Sequence, residues 1–159
     1  MGGYTPPGRP DHRAWDFAPY KNTTAAIWPA CAGKKSAKCP KPEVRAAASG
    51  KVTFAGWCGS KTWCAGYGYT VSIEHPNGYR TFYAHFAGPP KVGRGSVKRG
   101  KVIGIAGDTG YAEGVHVHFQ VEGWNNRNKK WVPANPGNPW NKNEPWSKWL
   151  ETIPYKRIP

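Results

Sequence analysis

The chain has 159 residues, the length of one domain, with 23 Lys plus Arg against 9 Asp plus Glu and a formal charge of +14. Such a charge predicts attraction to anionic partners: nucleic acid, an anionic membrane face or an anionic cell-wall polymer. Although Gly and Pro are abundant, 9 Trp, 8 Tyr and 5 Phe argue against a disordered chain. No run of eighteen apolar residues occurs in the sequence, so no transmembrane helix is expected.

The first 43 residues are predicted to be irregular, because seven prolines forbid a long helix and interrupt any strand. His12 and Asp16 lie four apart in this segment, and a curved loop could bring them together. Asp11 competes with Asp16 for any role there, and such residues are commonly only polar loop residues. The beginning of the segment has no apolar stretch of the signal-peptide type, so either Met1 precedes an already mature sequence or, if Met1 is native, export is expected to use another signal.

Four cysteines allow three disulfide pairings. The local pairs Cys31–Cys39 and Cys58–Cys64 close short loops and are favoured, which indicates an oxidising compartment. A structural zinc site of four cysteines is the alternative, although such sites usually bring at least one close pair. Free thiols are the third possibility.

Short strands separated by turns are predicted from residue 44 onwards, at 44–48, 51–57, 69–75, 79–85, 101–106 and 115–122. Pro76-Asn77-Gly78 is a strong hairpin signal, and His75 beside it is expected to close the hairpin without a catalytic role. Beyond Gly123 the chain is polar and rich in Pro and Asn, with one short helix expected at 146–152. The pattern indicates a mostly β, antiparallel domain with long loops and little helix.

The strand predicted at 115–122 carries a chemical signal. Side chains alternate across a strand, so His116, His118, Gln120 and Glu122 share one face, and the opposite face is apolar. The two histidines are then about 7 Å apart at their Cα atoms and can point into one cleft. Histidine is the commonest metal ligand and a proton carrier near neutral pH. The competing interpretation is that both merely occupy the solvent face of an edge strand.

Four stretches of the chain resemble the lysostaphin-like zinc peptidoglycan endopeptidases, and they come in that family's order: 44–52, 68–85, 97–110 and 116–119. The match combines a His-x3-Asp element at His12, a Tyr-Ala-His element ending at His85 and a His-x-His element at 116–118. It covers roughly residues 12 to 122. The sequence departs from the family pattern at Ala14, Val115 and Val117 and in a longer segment after Asp16, and none of these departures removes a ligand.

The resemblance implies a groove over an antiparallel β-sheet and a catalytic zinc ion. His12, Asp16 and His118 match the zinc ligands, His116 matches the catalytic base, and His85 matches the histidine that assists it. The expected reaction is metal-assisted amide hydrolysis. In it His116 takes the proton of water and returns it to the leaving amine, while His85 hydrogen-bonds the oxyanion or orients His116.

The expected function is therefore a zinc-dependent endopeptidase that cuts peptide cross-links of bacterial peptidoglycan, outside the cell or in the periplasm. The alternative is a non-catalytic wall-binding module of the same fold. A nucleic-acid binder is suggested only by charge, since no recognition helix or RNA-binding motif is present. The sequence leaves open whether a stem cross-link or a glycine bridge is cut, and whether the chain is a phage lysin or a cellular hydrolase.

The expected organisation is one catalytic domain over 1–159, monomeric, with its core at 12–122. Residues 123–159 form a Trp-, Pro- and Asn-rich extension whose Trp residues are expected to pack on the sheet rather than stack on sugars. Stem or bridge peptides are the expected substrates. Anionic wall polymers and outer-leaflet phosphates are further partners for two basic clusters. The clusters are Lys34, Lys35, Lys38 and Lys41, and Lys91, Arg94, Lys98, Arg99 and Lys101.

Overall fold

Ten β-strands are present in the computed structural model, which describes Gly3–Tyr4, residues 14–17 and residues 41–133. They are β1 Gly3–Tyr4, β2 Trp15–Phe17, β3 Glu43–Arg45, β4 Gly50–Cys58, β5 Gly68–Glu74, β6 Tyr79–Phe86, β7 Gly95–Val97, β8 Val102–Ile105, β9 Val117–Asn125 and β10 Lys130–Pro133. No helix in the described ranges is long and apolar enough to cross a membrane. The predicted antiparallel, mostly β fold is confirmed.

Eight strands form one antiparallel sheet in the order β1-β2-β9-β6-β5-β4-β7, with β10 also paired to β9. The long hairpin β5–β6 turns at 75–78, where the amide of His75 donates to the carbonyl of Tyr79, so the predicted hairpin role of His75 is confirmed. β9 pairs with β6 along one edge. Two strands share its other edge: β2 pairs with the first three residues of β9, and β10 pairs with the last four. Strands β3 and β8 form a separate pair.

The sequence interpretation located the long strands to within a few residues but missed four short ones. Three of them, β1, β2 and β7, have two or three residues each, too few to show a hydrophobic period. The fourth, β10, lies in the polar region beyond Gly123 that was expected to lack strands. The prediction that residues 1–43 are irregular is therefore wrong at β1 and β2. The predicted helix at 146–152 lies outside the described residues.

Each face of the sheet carries a buried cluster of side chains. One face carries the larger core, in which Val71 and Ile73 of β5 and Phe119 and Val121 of β9 pack beneath the β3–β8 pair. This confirms the apolar face predicted for the last strand. The other face carries a smaller cluster of Cys58, Cys64, Phe82 and Ala84, with Phe54 and Tyr67 packed against it. His118, Gln120 and Glu122 belong to this second face and are also buried, so they do not face solvent.

A disulfide joins Cys58 at the end of β4 to Cys64 in the loop before β5. It confirms one of the two favoured pairs and leaves no thiolate at either position for a four-cysteine zinc site. The Thr70 hydroxyl lies 3.1 Å from the Cys58 sulfur, which has no proton and therefore accepts. Cys31 and Cys39 lie outside the described residues.

Gly107 allows its own backbone to approach closely that of Ala87, the residue directly after β6. A Cβ at this position would lie 2.3 Å from the backbone N and Cα of Ala87. The Gly107 carbonyl accepts a hydrogen bond of 3.0 Å from the amide of His116. The absence of a side chain at Gly107 therefore helps to place His116.

We predict that Gly107→Ala lowers the free energy of unfolding by about 2–3 kcal/mol, because backbone atoms must move to admit the methyl group. Gly93→Ala is the matched control, since a Cβ there meets nothing within 4 Å, and its effect should stay within about 1 kcal/mol. Urea denaturation of both variants measures the difference. Equal stabilities would show that the close approach at Gly107 does not constrain the fold.

Candidate active site

Strand register places Asp16 next to His118. Asp16 on β2 lies directly opposite His118 on β9, and directly opposite residues of an antiparallel pair point to the same face. Oδ1 of Asp16 is 3.2 Å from Nδ1 of His118. The side chains are 16% and 5% exposed, so this contact is largely shielded from water. A three-residue strand thus brings together two side chains that are 102 positions apart.

A β-bulge in β6 brings His85 to the same place. Between the pairs Val71↔Tyr83 and Tyr69↔Phe86, β5 has one residue and β6 has two, Ala84 and His85. Strict alternation would put His85 on the same face as Tyr83, in the larger core. The extra residue, with φ of 62° at His85, turns the imidazole instead towards His116, with ring centroids 4.7 Å apart. Bulges commonly re-aim a side chain in this way.

His116 lies just before β9 and completes the cluster. Its Nε2 is 3.9 Å from Oδ1 of Asp16, and its Nδ1 is 2.8 Å from the carbonyl oxygen of Gly114. A carbonyl only accepts, so Nδ1 of His116 carries the proton and a neutral ring keeps its lone pair on Nε2. That lone pair is on the nitrogen nearer Asp16.

His85 has the same tautomer for the same reason. Its Nδ1 lies 2.8 Å from the carbonyl oxygen of Thr109. The Thr109 hydroxyl in turn donates to the carbonyl of Phe86 at 2.6 Å, which ties the 107–110 turn to the bulge. Burial lowers the pKa of His85 to about 4, so the ring is neutral at physiological pH and its Nε2 accepts hydrogen bonds.

The donor set fits part of a zinc site. An aspartate oxygen and an imidazole nitrogen 3.2 Å apart are two ligand types that zinc prefers. Among residues 14–17 and 41–133, no three such side chains converge as a metal site. His12, the third ligand implied by the resemblance, lies outside the described residues. Of the five predicted site residues, the structure places four next to one another by pairwise contacts: Asp16 beside His118 and His116, and His85 beside His116.

Sequence reasoning missed a tyrosine at this site. The Tyr67 ring lies 4.9 Å from that of His118 and 5.8 Å from that of His85. Burial raises the pKa of Tyr67, and the negative charges of Glu122 and Asp16 raise it further, so the hydroxyl keeps its proton. The one sequence signal for Tyr67 was its position between two glycines, Gly66 and Gly68. In the structure both glycines have positive φ and lead directly into β5.

Comparison with known proteins identifies the family. The sequence profile described as Peptidase family M23 matches residues 31–134. The chain belongs to this family. The match includes His85, His116 and His118 but begins after Asp16, so the M23 profile does not cover the first two predicted ligands.

Two kinds of similarity accompany the M23 match. The chain is 43% identical over 78 residues to the DD-carboxypeptidase/endopeptidase Mpg of Neisseria meningitidis, over 49% of this chain and 16% of that protein. It thus spans about a sixth of this curated relative. The solved structure of the antimicrobial peptidase lysostaphin from Staphylococcus simulans is 26% identical, with TM-score 0.55, over 84% of this chain and 45% of that one. A zinc containing peptidase from Vibrio cholerae is also 26% identical, with TM-score 0.51, over 80% and 30%.

The left-handed backbone at His85 makes a prediction about stability. Of the variants His85→Gly and His85→Ala, the glycine variant should be more stable by about 1 kcal/mol, because only glycine takes positive φ without a steric cost. This reverses the usual order within a strand. Urea denaturation compares the two.

Ala84→Gly provides the control, since Ala84 has no positive φ and glycine there should be destabilising by about 1 kcal/mol. If His85→Ala were the more stable of the His85 pair, the bulge conformation assigned to His85 would be wrong.

Proposed function

We propose that this chain is a zinc metalloendopeptidase that hydrolyses peptide bonds in the cross-links of bacterial peptidoglycan. The observation that carries the proposal is a set of pairwise contacts in a chain of the M23 family: Asp16 lies beside His118 and His116, and the ring of His85 lies beside that of His116. The named activities of its relatives, an endopeptidase and an antimicrobial peptidase, support peptide hydrolysis in the cell wall.

His12, Asp16 and His118 would hold the zinc ion, with Nδ1 of His118 as the donor atom because it faces Asp16. Three protein ligands would leave the fourth position open, as catalytic zinc sites require. Zinc so bound supplies Lewis acidity to the scissile carbonyl and lowers the pKa of water. The zinc-containing relative from Vibrio cholerae supports this choice of metal.

His116 is proposed as the general base. Its ring is held by the hydrogen bond from Nδ1 to the Gly114 carbonyl, and Nε2 carries the lone pair beside Asp16. A base held in this way can accept the proton of an attacking water and then return it to the leaving amine. Because a proton taken on Nε2 would lie close to the Asp16 carboxylate, the resulting imidazolium would be stabilised by an opposite charge.

His85 is proposed as the partner of His116. Sequence reasoning left two roles for it, as a donor to the oxyanion or as a group that orients His116. The contact of Nδ1 with Thr109 leaves Nε2 as an acceptor, and an acceptor cannot stabilise an oxyanion. The adjacent rings, 4.7 Å apart, favour the orienting role, in which His85 accepts a hydrogen bond from protonated His116 or from water.

We further propose that residues 1–159 act as one monomeric catalytic domain, secreted or periplasmic, with residues 123–159 packed on the core. The Cys58–Cys64 disulfide supports an oxidising compartment. Lys91, Arg94, Lys98 and Lys101 are exposed and would attract anionic wall polymers or phosphates in a manner that salt weakens.

The test is zinc analysis of the purified chain, combined with digestion of purified peptidoglycan and mass spectrometry of the products. The parent is expected to bind one zinc ion per chain and to release cross-link peptides. Digesting two kinds of sacculi in parallel, one with direct stem cross-links and one with glycine bridges, shows which peptide bond is cut. His118→Ala should lower kcat/KM by more than about 100-fold, since losing even an outer-shell partner of a metal ligand costs up to that much.

His75→Gln is the matched control, because His75 is equally buried but bonds Ser49 and Thr81 away from the site. It should retain zinc and activity. A chain that binds peptidoglycan without releasing peptides would instead be the non-catalytic module. Full activity in His118→Ala would contradict the proposed site.

A further inference from the structure

A row of polar side chains runs away from His118 along the same face of the sheet. Gln120 and Glu122 follow His118 at two-residue intervals on β9, and Arg80 on β6 lies directly opposite Glu122. All four residues are at most 9% exposed. Burying two polar side chains and an ion pair in a small domain is costly unless each group has a hydrogen-bond partner, so the contacts among these four residues require an explanation.

The contacts form one chain that ends on the candidate zinc ligand. The Arg80 guanidinium donates from Nε to Oε2 of Glu122. Oε1 of Glu122 accepts from the amide nitrogen of Gln120 at 2.9 Å. Oε1 of Gln120 lies 3.2 Å from Nε2 of His118. Each link therefore fixes the orientation of the next group towards His118.

We propose that Arg80, Glu122 and Gln120 are positioning residues that set the tautomer and ring orientation of His118. A carboxylate paired with arginine can only accept, so Gln120 must turn its NH2 group to Glu122 and its oxygen to His118. Nε2 of His118 must then carry a proton. In a neutral ring the lone pair is then on Nδ1, where it would be donated to a metal ion that the Asp16 carboxylate also binds.

The opposite arrangement would be incompatible with a ligand role. If the amide of Gln120 were reversed, its NH2 group would face Nε2, and the proton of His118 would move to Nδ1, where Asp16 can accept it. The Nδ1 lone pair would then be lost. Metal-bound histidines commonly donate their second N–H to such a partner, and its removal weakens metal binding about 10- to 100-fold. That the positioning serves a metal rests on the proposed function.

Two tryptophans cover the far end of this chain. The Arg80 guanidinium carbon lies 4.9 Å from the ring centres of both Trp63 and Trp131. Trp63 belongs to the loop closed by the Cys58–Cys64 disulfide, and Trp131 belongs to β10. Both rings limit the access of water to the ion pair and hold the guanidinium by cation–π attraction. The disulfide loop and β10 thus support the ion pair at the far end of the row.

The test is the 15N chemical shift of His118 Nε2 in the zinc-free 159-residue chain, recorded at a pH above which the shifts of both ring nitrogens stop changing. We expect a protonated Nε2 in the parent. Glu122→Gln frees the Gln120 amide to reverse, and Gln120→Leu removes the acceptor, so both should shift the population towards unprotonated Nε2. Chelator competition should show zinc binding weakened about 10- to 100-fold in both.

Ser72→Ala is the control, because Ser72 is fully buried in the same sheet and its hydroxyl has no hydrogen-bond partner. It should change neither readout. Should Glu122→Gln fail to fold because it leaves Arg80 unpaired, the double variant Arg80→Gln with Glu122→Gln removes both charges and should show the same shift.

An Nε2 that stays protonated in the folded Gln120→Leu and Glu122-substituted chains, with zinc affinity within about 2-fold of the parent, would overturn the proposal. A parent chain that binds no zinc would refute the proposed function, while the Nε2 signal would still decide whether the network sets the tautomer.

Discussion

The pairing of β2 with β9 is the constraint on which the candidate site depends. It places Asp16 opposite His118 through only three residues of strand, Trp15–Phe17. The flanking side chains explain how so short a strand is held. Trp15 stacks on Phe119 of β9 and Phe17 packs against the same ring at a tilt, with ring centres 6.0 Å apart in each case. Apolar contacts on one face thus hold an aspartate on the other, and a register shift by one residue would remove Asp16 from the site.

β6 supplies the rest of the geometry from the other edge of β9. Its regular part sets Arg80, Phe82 and Ala84 opposite Glu122, Gln120 and His118. Its bulge then breaks the alternation so that His85 joins the same face. One strand therefore supports the proposed metal ligand His118 through a buried ion pair and also presents the partner of His116, the proposed general base. The positive φ at His85 is a local cost that the contacts of its ring and the turn at Thr109 offset.

Much of this could be predicted from sequence, for reasons that individual residues illustrate. The alternation in 115–122 correctly separated the apolar face from the face of His118, because a period of two is unambiguous in a long strand. The hairpin at Pro76-Asn77-Gly78 was equally clear. The short β2 and the bulge at His85 could not be read, because three residues show no period and an extra residue leaves no trace without its partner strand. The alternation also gave no sign that Gln120 and Glu122 are buried on the face of His118, or that Glu122 pairs there with Arg80.

The most direct measurement of the central claim is anomalous diffraction at the zinc edge from crystals of the chain grown with zinc. If the β2–β9 register and the β6 bulge build one metal centre, the anomalous peak will lie between Asp16 and Nδ1 of His118, with His12 as the third protein ligand and His116 and His85 beside it. A peak bonded to Nε2 of His118, or bonded to residues that do not include Asp16, would contradict this account of the site.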